Sequence, residues 1–320
     1  MMKKKSKNFK TFETKKEKLP WEHPKSLEED ASSHKCVKKL LKSQSYIVAE
    51  QDEAFLIARD TLGIRLELDY QKAELLLQQH GVKHTIVVFG SARMLEPMTA
   101  KKQLDLAVKK LEKNPQSKAH QQDLKKAEKM LEKSRFYTMA REFGTLIGKA
   151  GKSPSDSRIT LMTGGGPGIM EAANRGAFDV GAKSIGLNIS LPREQFPNPY
   201  ITPELCFKFH YFAIRKLHFL LRAKALVVFP GGFGTMDELF GIITLMQTKK
   251  IELMPVVLID KTYWNSLINF DVLEEEGMIS SHDRNLFWYA QSAQEAWESI
   301  LYWYETRGEK LYKRRKNEYD

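Results

Sequence analysis

Two apolar runs in this chain each end in a glycine-rich turn that opens a helical stretch, and that pairing restricts the fold more than any other feature. The first is Ile159-Thr160-Leu161-Met162, followed by Thr163-Gly164-Gly165-Gly166-Pro167-Gly168 and a helical pattern from Ile169 to Val180. The second is Ala225-Leu226-Val227-Val228-Phe229, followed by Pro230-Gly231-Gly232-Phe233-Gly234-Thr235 and a helical pattern through Met246. A short apolar run bounded by turn residues reads as a buried strand. A bare turn between strand and helix brings unhindered backbone N–H groups to a helix N-terminus, where the dipole favours negative charge. Both turns are therefore anion cradles. Further strands are expected at His84–Phe89, Ser184–Ile189 and Pro255–Asp260, with a short one at Phe207–Phe209, and helical patterns alternate with them. The alternation predicts an α/β fold, a doubly wound and mostly parallel sheet with helices on both faces. Both glycine turns would then open on one crevice at the strands' carboxyl ends, where such sheets bind ligands.

Familiar nucleotide fingerprints fail here. The first turn is not G-x-G-x-x-G, because the last glycine of that spacing falls on Ile169, and no acidic residue ends the next strand. Gly151-Lys152-Ser153 resembles the close of a P-loop, yet Leu146 stands where that loop needs its first glycine. No G-x-S-x-G elbow occurs.

The net charge of +11 invites a nucleic-acid reading, but its distribution opposes one. Residues 1–42 hold 13 basic and 6 acidic side chains, residues 99–134 hold 10 and 5, and the remainder is close to neutral. The excess lies in a tail and an insertion, away from the glycine loops, so nucleic acid is not the expected partner. No run of eighteen apolar residues predicts a membrane span, and no apolar segment of a secretory signal follows the basic start. Cys36 and Cys206 suggest neither a disulfide framework nor a metal knuckle, which fits a cytoplasmic protein.

The organisation expected is a basic flexible arm over 1–45, a helical extension over 46–83, a nucleotide-binding domain over 84–306 and a charged tail over 307–320. Residues 99–134 interrupt the domain as a charged helical hairpin, broken at Asn114-Pro115. Phe136 to Ala150 reads as the helix that returns to the sheet, closed by Gly151, and the Pro-rich segment 192–203 as a loop over the ligand edge.

For chemistry the candidates are Glu238, Asp237, Glu171 and the pair Arg215-Lys216. Thr235 and Glu238 have the T-x-x-E spacing of a capping box, so Glu238 has a purely structural role open to it. Equally, a carboxylate beside the loop, kept ionised by the helix dipole, can activate water and offset positive charge on an oxocarbenium-like centre. Arg215 offers a fixed charge for a phosphate or a leaving base, or a solvated helix face. Glu171 reads as a first-turn dipole partner and Cys206 as a packed thiol. His210 and His218 lack acidic partners at ligand spacing, so neither a metal nor a cofactor is expected.

Pro230-Gly231-Gly232-Phe233-Gly234-Thr235-Met236-Asp237-Glu238 resembles the P-G-G-x-G-T-x-x-E signature of the LOG ("Lonely guy") family of nucleoside 5′-monophosphate phosphoribohydrolases. Gly164 to Met170, Phe89-Gly90-Ser91-Ala92-Arg93 and Arg215-Lys216 look like that family's other motifs, in the same order. The resemblance covers roughly residues 84–98 and 135–275, and it is to the longer bacterial type. It implies a Rossmann-like fold, a homodimer or higher homo-oligomer, and hydrolysis of the N-glycosidic bond of AMP-like nucleotides, some members acting on cytokinin riboside monophosphates. By matching positions it implies Arg215 and Glu238 as the catalytic pair. Ser91, Arg93, Gly165, Gly166, Met170, Lys216, Gly232, Phe233, Gly234 and Thr235 would hold the nucleotide. The insertion and the basic ends depart from the short members. The competing reading is a non-catalytic module that binds nucleotides or nucleic acid.

Overall fold

The computed structural model describes residues 25–150, 159–191 and 196–311. Residues 1–24 of the expected arm, Gly151 with the Lys152-Ser153 pair, residues 192–195 of the Pro-rich loop and residues 312–320 of the tail lie outside them. The chain divides into two units, Met1–Arg65 and Leu66–Asp320.

In the first unit, helix α1 (Ser33–Leu41) is amphipathic but has no buried residue. Helix α2 (Glu53–Ile57) is capped by the Asp52 carboxylate, which accepts from the Phe55 N–H. Arg65 closes its far end, with Nη1 donating to the Leu56 and Ala58 carbonyls at 2.6 Å each. Helix α3 runs from Leu62 to Gln79, and from Leu66 onward it belongs to the second unit.

The second unit is built on a seven-stranded sheet, with strands β1 (His84–Phe89), β2 (Ile159–Thr163), β3 (Ser184–Ile189), β4 (Cys206–Phe209), β5 (Ala223–Val228), β6 (Val256–Ile259) and β7 (Trp288–Ala290). All pairs are parallel, and the order is β4-β3-β2-β1-β5-β6-β7. The chain winds outward from β1 in one direction, then returns to start again at β5 on its other side. The strand order therefore reverses between β1 and β5, which is where such sheets leave a crevice.

Helices α4 (Pro97–Lys113), α5 (Lys118–Lys133) and α6 (Arg135–Ala150) lie between β1 and β2, and α7 (Ile169–Asp179) between β2 and β3. The segment 99–134 is thus a helical hairpin turned at Asn114-Pro115. Helix α8 (Phe212–Leu221) precedes β5 and α9 (Phe233–Gln247) follows it; α10 (Lys261–Leu267), α11 (Phe270–Glu275) and α12 (Ala293–Thr306) complete the unit. Side chains alternate along each strand, so the sheet has two cores. Ile86, Val88, Leu161, Val227 and Val257 pack with α6, α7 and α12 on one face. Val87, Phe89, Met162, Leu226, Val228 and Leu258 pack on the other with Phe219 of α8, Leu239 and Ile242 of α9, and Trp264 of α10.

Two details of this packing position the site. First, α6 and α7 cross at glycine: a Cβ on Gly144 would strike the Ala173 carbonyl, and one on Gly176 the Arg141 carbonyl. Backbone cannot yield as a side-chain tip can, so Gly176→Ala is expected to cost about 1–3 kcal/mol, read as a lower urea midpoint at unchanged m-value. Second, α3 fastens α8 at three points. The Asp69 carboxylate accepts from the His210 N–H (3.0 Å) and the Tyr211 N–H (3.0 Å), standing in for the missing cap of α8. The Tyr70 carbonyl lies 3.1 Å from His218 Nε2. Glu74 receives both Arg222 guanidinium nitrogens, at 2.7 and 2.6 Å. This last pair is nearly dry, and its hydrogen bonds hold the Glu74 carboxyl below its ordinary range.

Candidate active site

The cleft at the switch between β1 and β5 has a volume of about 670 Å³, the size that encloses a small organic ligand. Its walls come from the end of β1 and the turn after it, the glycine turn after β2, the end of β3, helix α8, and Gly232 with the first turns of α9.

The two glycine turns are braced rather than loose. The Ser91 N–H donates to the Pro230 carbonyl (3.1 Å) and the Ile169 N–H to the Ser91 carbonyl (3.1 Å), so the turn after β1 joins both cradles. Gly168 has φ +71°, and a Cβ there would strike the Ser91 carbonyl, so the turn needs glycine twice over. The Tyr263 hydroxyl donates to the Gly231 carbonyl at 2.6 Å. Behind the first turn runs a buried polar chain. Thr163 Oγ1 donates to Asn174 Oδ1 (2.7 Å), Asn198 Nδ2 donates to Asn174 Oδ1 (3.1 Å) and to the Gly166 carbonyl (3.1 Å), and Asn174 Nδ2 donates to Ser184 Oγ (2.9 Å). No motif in the sequence pointed to Asn174 or Asn198; only their burial and mutual satisfaction identify them.

Helix α9 starts at Phe233, with Gly232 as its N-cap, no side-chain cap and no acidic residue in its first turn. Thr235 is therefore the third helical residue and Glu238 the sixth. The capping-box alternative fails: the helix begins three residues too early for Thr235 to cap it, and Glu238 lies in the second turn, inside the fold. A Cβ on Gly232 or Gly234 would meet nothing within 4 Å, so the cleft wall is bare at this helix start. Phe233 is 93% exposed and forms the rim.

The floor holds one ion pair. Arg215 Nη2 lies 3.8 Å from Glu238 Oε1, with the two side chains 14% and 5% exposed. The Arg215 guanidinium reaches the Leu187 carbonyl of β3 through Nη1 (3.5 Å) and lies near the Phe212 and Phe219 rings. Glu238 Oε2 and Arg215 Nε are buried without a hydrogen-bond partner among the described residues. Such orphaned atoms cost stability unless something else uses them. Burial pushes the Glu238 carboxyl above its ordinary range, against the pull of Lys216 and Arg215. The expectation that the helix dipole sets its ionisation is thus corrected: dehydration dominates. Burial likewise pulls the Arg215 guanidinium down, opposed by Glu238 and Asp237.

Of the twelve residues singled out in the sequence, ten line the cleft: Ser91, Arg93, Gly166, Met170, Arg215, Gly232, Phe233, Gly234, Thr235 and Glu238. Lys216 sits behind it, its ammonium 2.9 Å from Asp237 Oδ2 and 3.7 Å from Glu238 Oε2. Gly165 lies beneath Asn188. Phe89, Gly90, Ala92 and Gly164 of the same motifs also line it; the remaining lining residues, Asn188, Ile189, Leu191, Phe212, Phe219 and Met236, carried no sequence signal beyond their elements. Glu171 is engaged elsewhere, accepting from the Tyr137 hydroxyl at 2.7 Å.

Residues 170–300 match the family model described as "Possible lysine decarboxylase". The chain is 32% identical over 155 residues to a protein of Oryza sativa subsp. japonica named probable cytokinin riboside 5′-monophosphate phosphoribohydrolase LOGL3, covering 44% of this chain and 68% of the rice protein. It is 35% identical over 143 residues to cytokinin riboside 5′-monophosphate phosphoribohydrolase LOG1 of Arabidopsis thaliana, covering 43% of this chain and 65% of that protein. The chain thus spans about two thirds of the length of these curated relatives. The X-ray structure of TM1055, from a structural genomics programme, aligns at 20% identity and a TM-score of 0.41, covering 68% of this chain and 98% of that one. With the rice protein matched at this identity over this share of its length, the chain belongs to the LOG family.

Proposed function

We propose that this protein hydrolyses the N-glycosidic bond of nucleoside 5′-monophosphates, releasing the free base and ribose 5-phosphate. The observation that carries the reading is the buried Arg215–Glu238 pair beside a helix start with no side-chain cap and with Gly232 and Gly234 bare. The phosphate takes the first turn of α9, where the amides and the dipole meet it and Gly232 and Gly234 leave room. The sugar then lies over Glu238. Its carboxylate offsets the positive charge that develops at C1′ and takes a proton from the attacking water, whose hydroxyl joins C1′ as the bond to the base breaks. The base leaves as its anion and takes up that proton from Glu238, so atoms and charge balance and the carboxylate is restored. Arg215 holds Glu238 in place and supports the departing base through its fixed charge. The names of the curated relatives support this class of reaction. A module that only binds nucleotides would use the glycines but gain nothing from a dehydrated carboxylate.

The test is a chromatographic screen of AMP, GMP and CMP for base release, with Glu238→Gln as control. Wild-type turnover of at least one of them is expected. Intact nucleotides throughout would remove the reading.

The pH profile follows from the same geometry. Glu238 must be ionised to act as a base, and burial raises its pKa above the ordinary 4.5. The acid limb of kcat/KM is therefore expected above that value, with activity lost as pH falls through it. Lys216→Met removes a charge that favours the ionised form and is expected to move the limb further up. A limb at or below 4.5 would contradict this assignment.

A further inference from the structure

Asn188 is the polar side chain on the far wall of the cleft from the α9 helix start. It projects from β3, and the apolar Ile189, Leu191, Met170 and Phe212 line the same cleft. Its amide is held rather than free. Asn188 Nδ2 donates to Cys206 Sγ at 3.5 Å from the neighbouring strand β4. On its other side lies Gly165, where even one carbon would come within 2.5 Å of Nδ2 and 2.6 Å of Oδ1. The sulfur takes one of the two Nδ2 hydrogens and fixes the amide plane; Oδ1, which has no hydrogen-bond partner among the described residues, is the acceptor it can present.

The direction of a bound nucleotide decides what that acceptor meets, and here the inference rests on the function proposed above. A phosphate at α9 and a sugar over Glu238 place the glycosidic bond beside Arg215. The Arg215 guanidinium bridges from Glu238 to the Leu187 carbonyl, the residue before Asn188. The base therefore continues toward β3, into the apolar slot that Asn188 closes. We infer that Asn188 is the specificity-determining residue for the base, accepting a hydrogen bond from an exocyclic amino group, and that Cys206 is a positioning residue that fixes its amide. A base bearing an oxo group at that place would set two acceptors against each other, and turning the amide to relieve them would give up the contact with Cys206. The Cys206 thiol suits the task. Burial raises its pKa, so it stays a neutral, weak acceptor that holds an N–H without competing for the base.

The experiment compares kcat/KM for AMP and IMP, which differ in the amino or oxo group at one ring position. Wild-type protein is expected to prefer AMP by about 10-fold or more, the discrimination that a good base contact provides. Asn188→Leu is expected to bring the AMP:IMP ratio to near one, and Asn188→Ala, which is smaller, gives the same reading if leucine disturbs the strand. Asn188→Asp keeps an acceptor and should retain the preference. Cys206→Ala should lower the ratio part of the way while leaving the thermal midpoint close to wild type, which a merely structural thiol would not do. A wild-type preference for IMP overturns the inference. So does an unchanged ratio in Asn188→Leu and Asn188→Ala, or an equal loss on both substrates in folded protein. Failure of wild-type protein to cleave either nucleotide, or GMP or CMP, is a different result and removes the proposed function itself.

Discussion

Glu238→Gln is expected to lower kcat by on the order of 10³-fold, the loss typical when a positioned general base is removed. Glutamine has the shape of glutamate, so the second turn of α9 and its contacts with the core should persist, and the far-ultraviolet circular dichroism should not change. What it lacks is the negative charge. In a site where that side chain is 4% exposed, no solvent replaces it. The oxocarbenium-like centre then develops opposite Arg215 and Lys216 alone, which repel it. KM should move little, because the phosphate contacts at Gly232 and Gly234 are untouched. A variant that keeps more than a tenth of wild-type kcat would show that Glu238 is structural.

Arg215→Met should be nearly as severe, with a fall in kcat/KM of on the order of 10²-fold or more. Methionine fills much of the space between the Phe212 and Phe219 rings but carries no charge. Removing one member of a buried pair leaves the other uncompensated, a change that commonly costs about 3–5 kcal/mol. Lys216 relieves part of that cost because its ammonium lies 3.7 Å from Glu238 Oε2. The Glu238 pKa should therefore rise further, and the acid limb should shift up together with the loss of rate. Arg215→Lys is not expected to rescue, since a lysine cannot reach Glu238 and the Leu187 carbonyl with one planar group. Loss of rate with no movement of the limb would mean that Arg215 acts on substrate alone.

Much of this was legible in the sequence because the signals were strong and local. Strands buried on both faces read as continuous apolar runs, which is why β1, β2, β3, β5 and β6 were each expected where they stand. The alternation with helices predicted a doubly wound parallel sheet but no strand order, which is set by the pairing of β1 with both β2 and β5. Strand β7 was not foreseen: three residues, Trp288–Ala290, are too few to show a period. The capping-box alternative could not be closed from the sequence for a physical reason. T-x-x-E spacing does not say where a helix begins, and α9 starts at Phe233, directly after its N-cap Gly232. That shift of three residues makes Glu238 a buried carboxylate rather than a surface cap. Nor could spacing reveal what α3 does. Asp69, Tyr70 and Glu74 lie more than 140 residues from the α8 groups they hold, so no local pattern links them. The polar support of the first glycine turn, Asn174 and Asn198, was invisible for the same reason.

The most direct test of the central claim is the product analysis of AMP incubated with the wild-type protein. Adenine and ribose 5-phosphate in equal amounts, with no adenosine or orthophosphate, is the predicted result. Adenosine released with orthophosphate, or AMP left intact along with GMP and CMP, would contradict it.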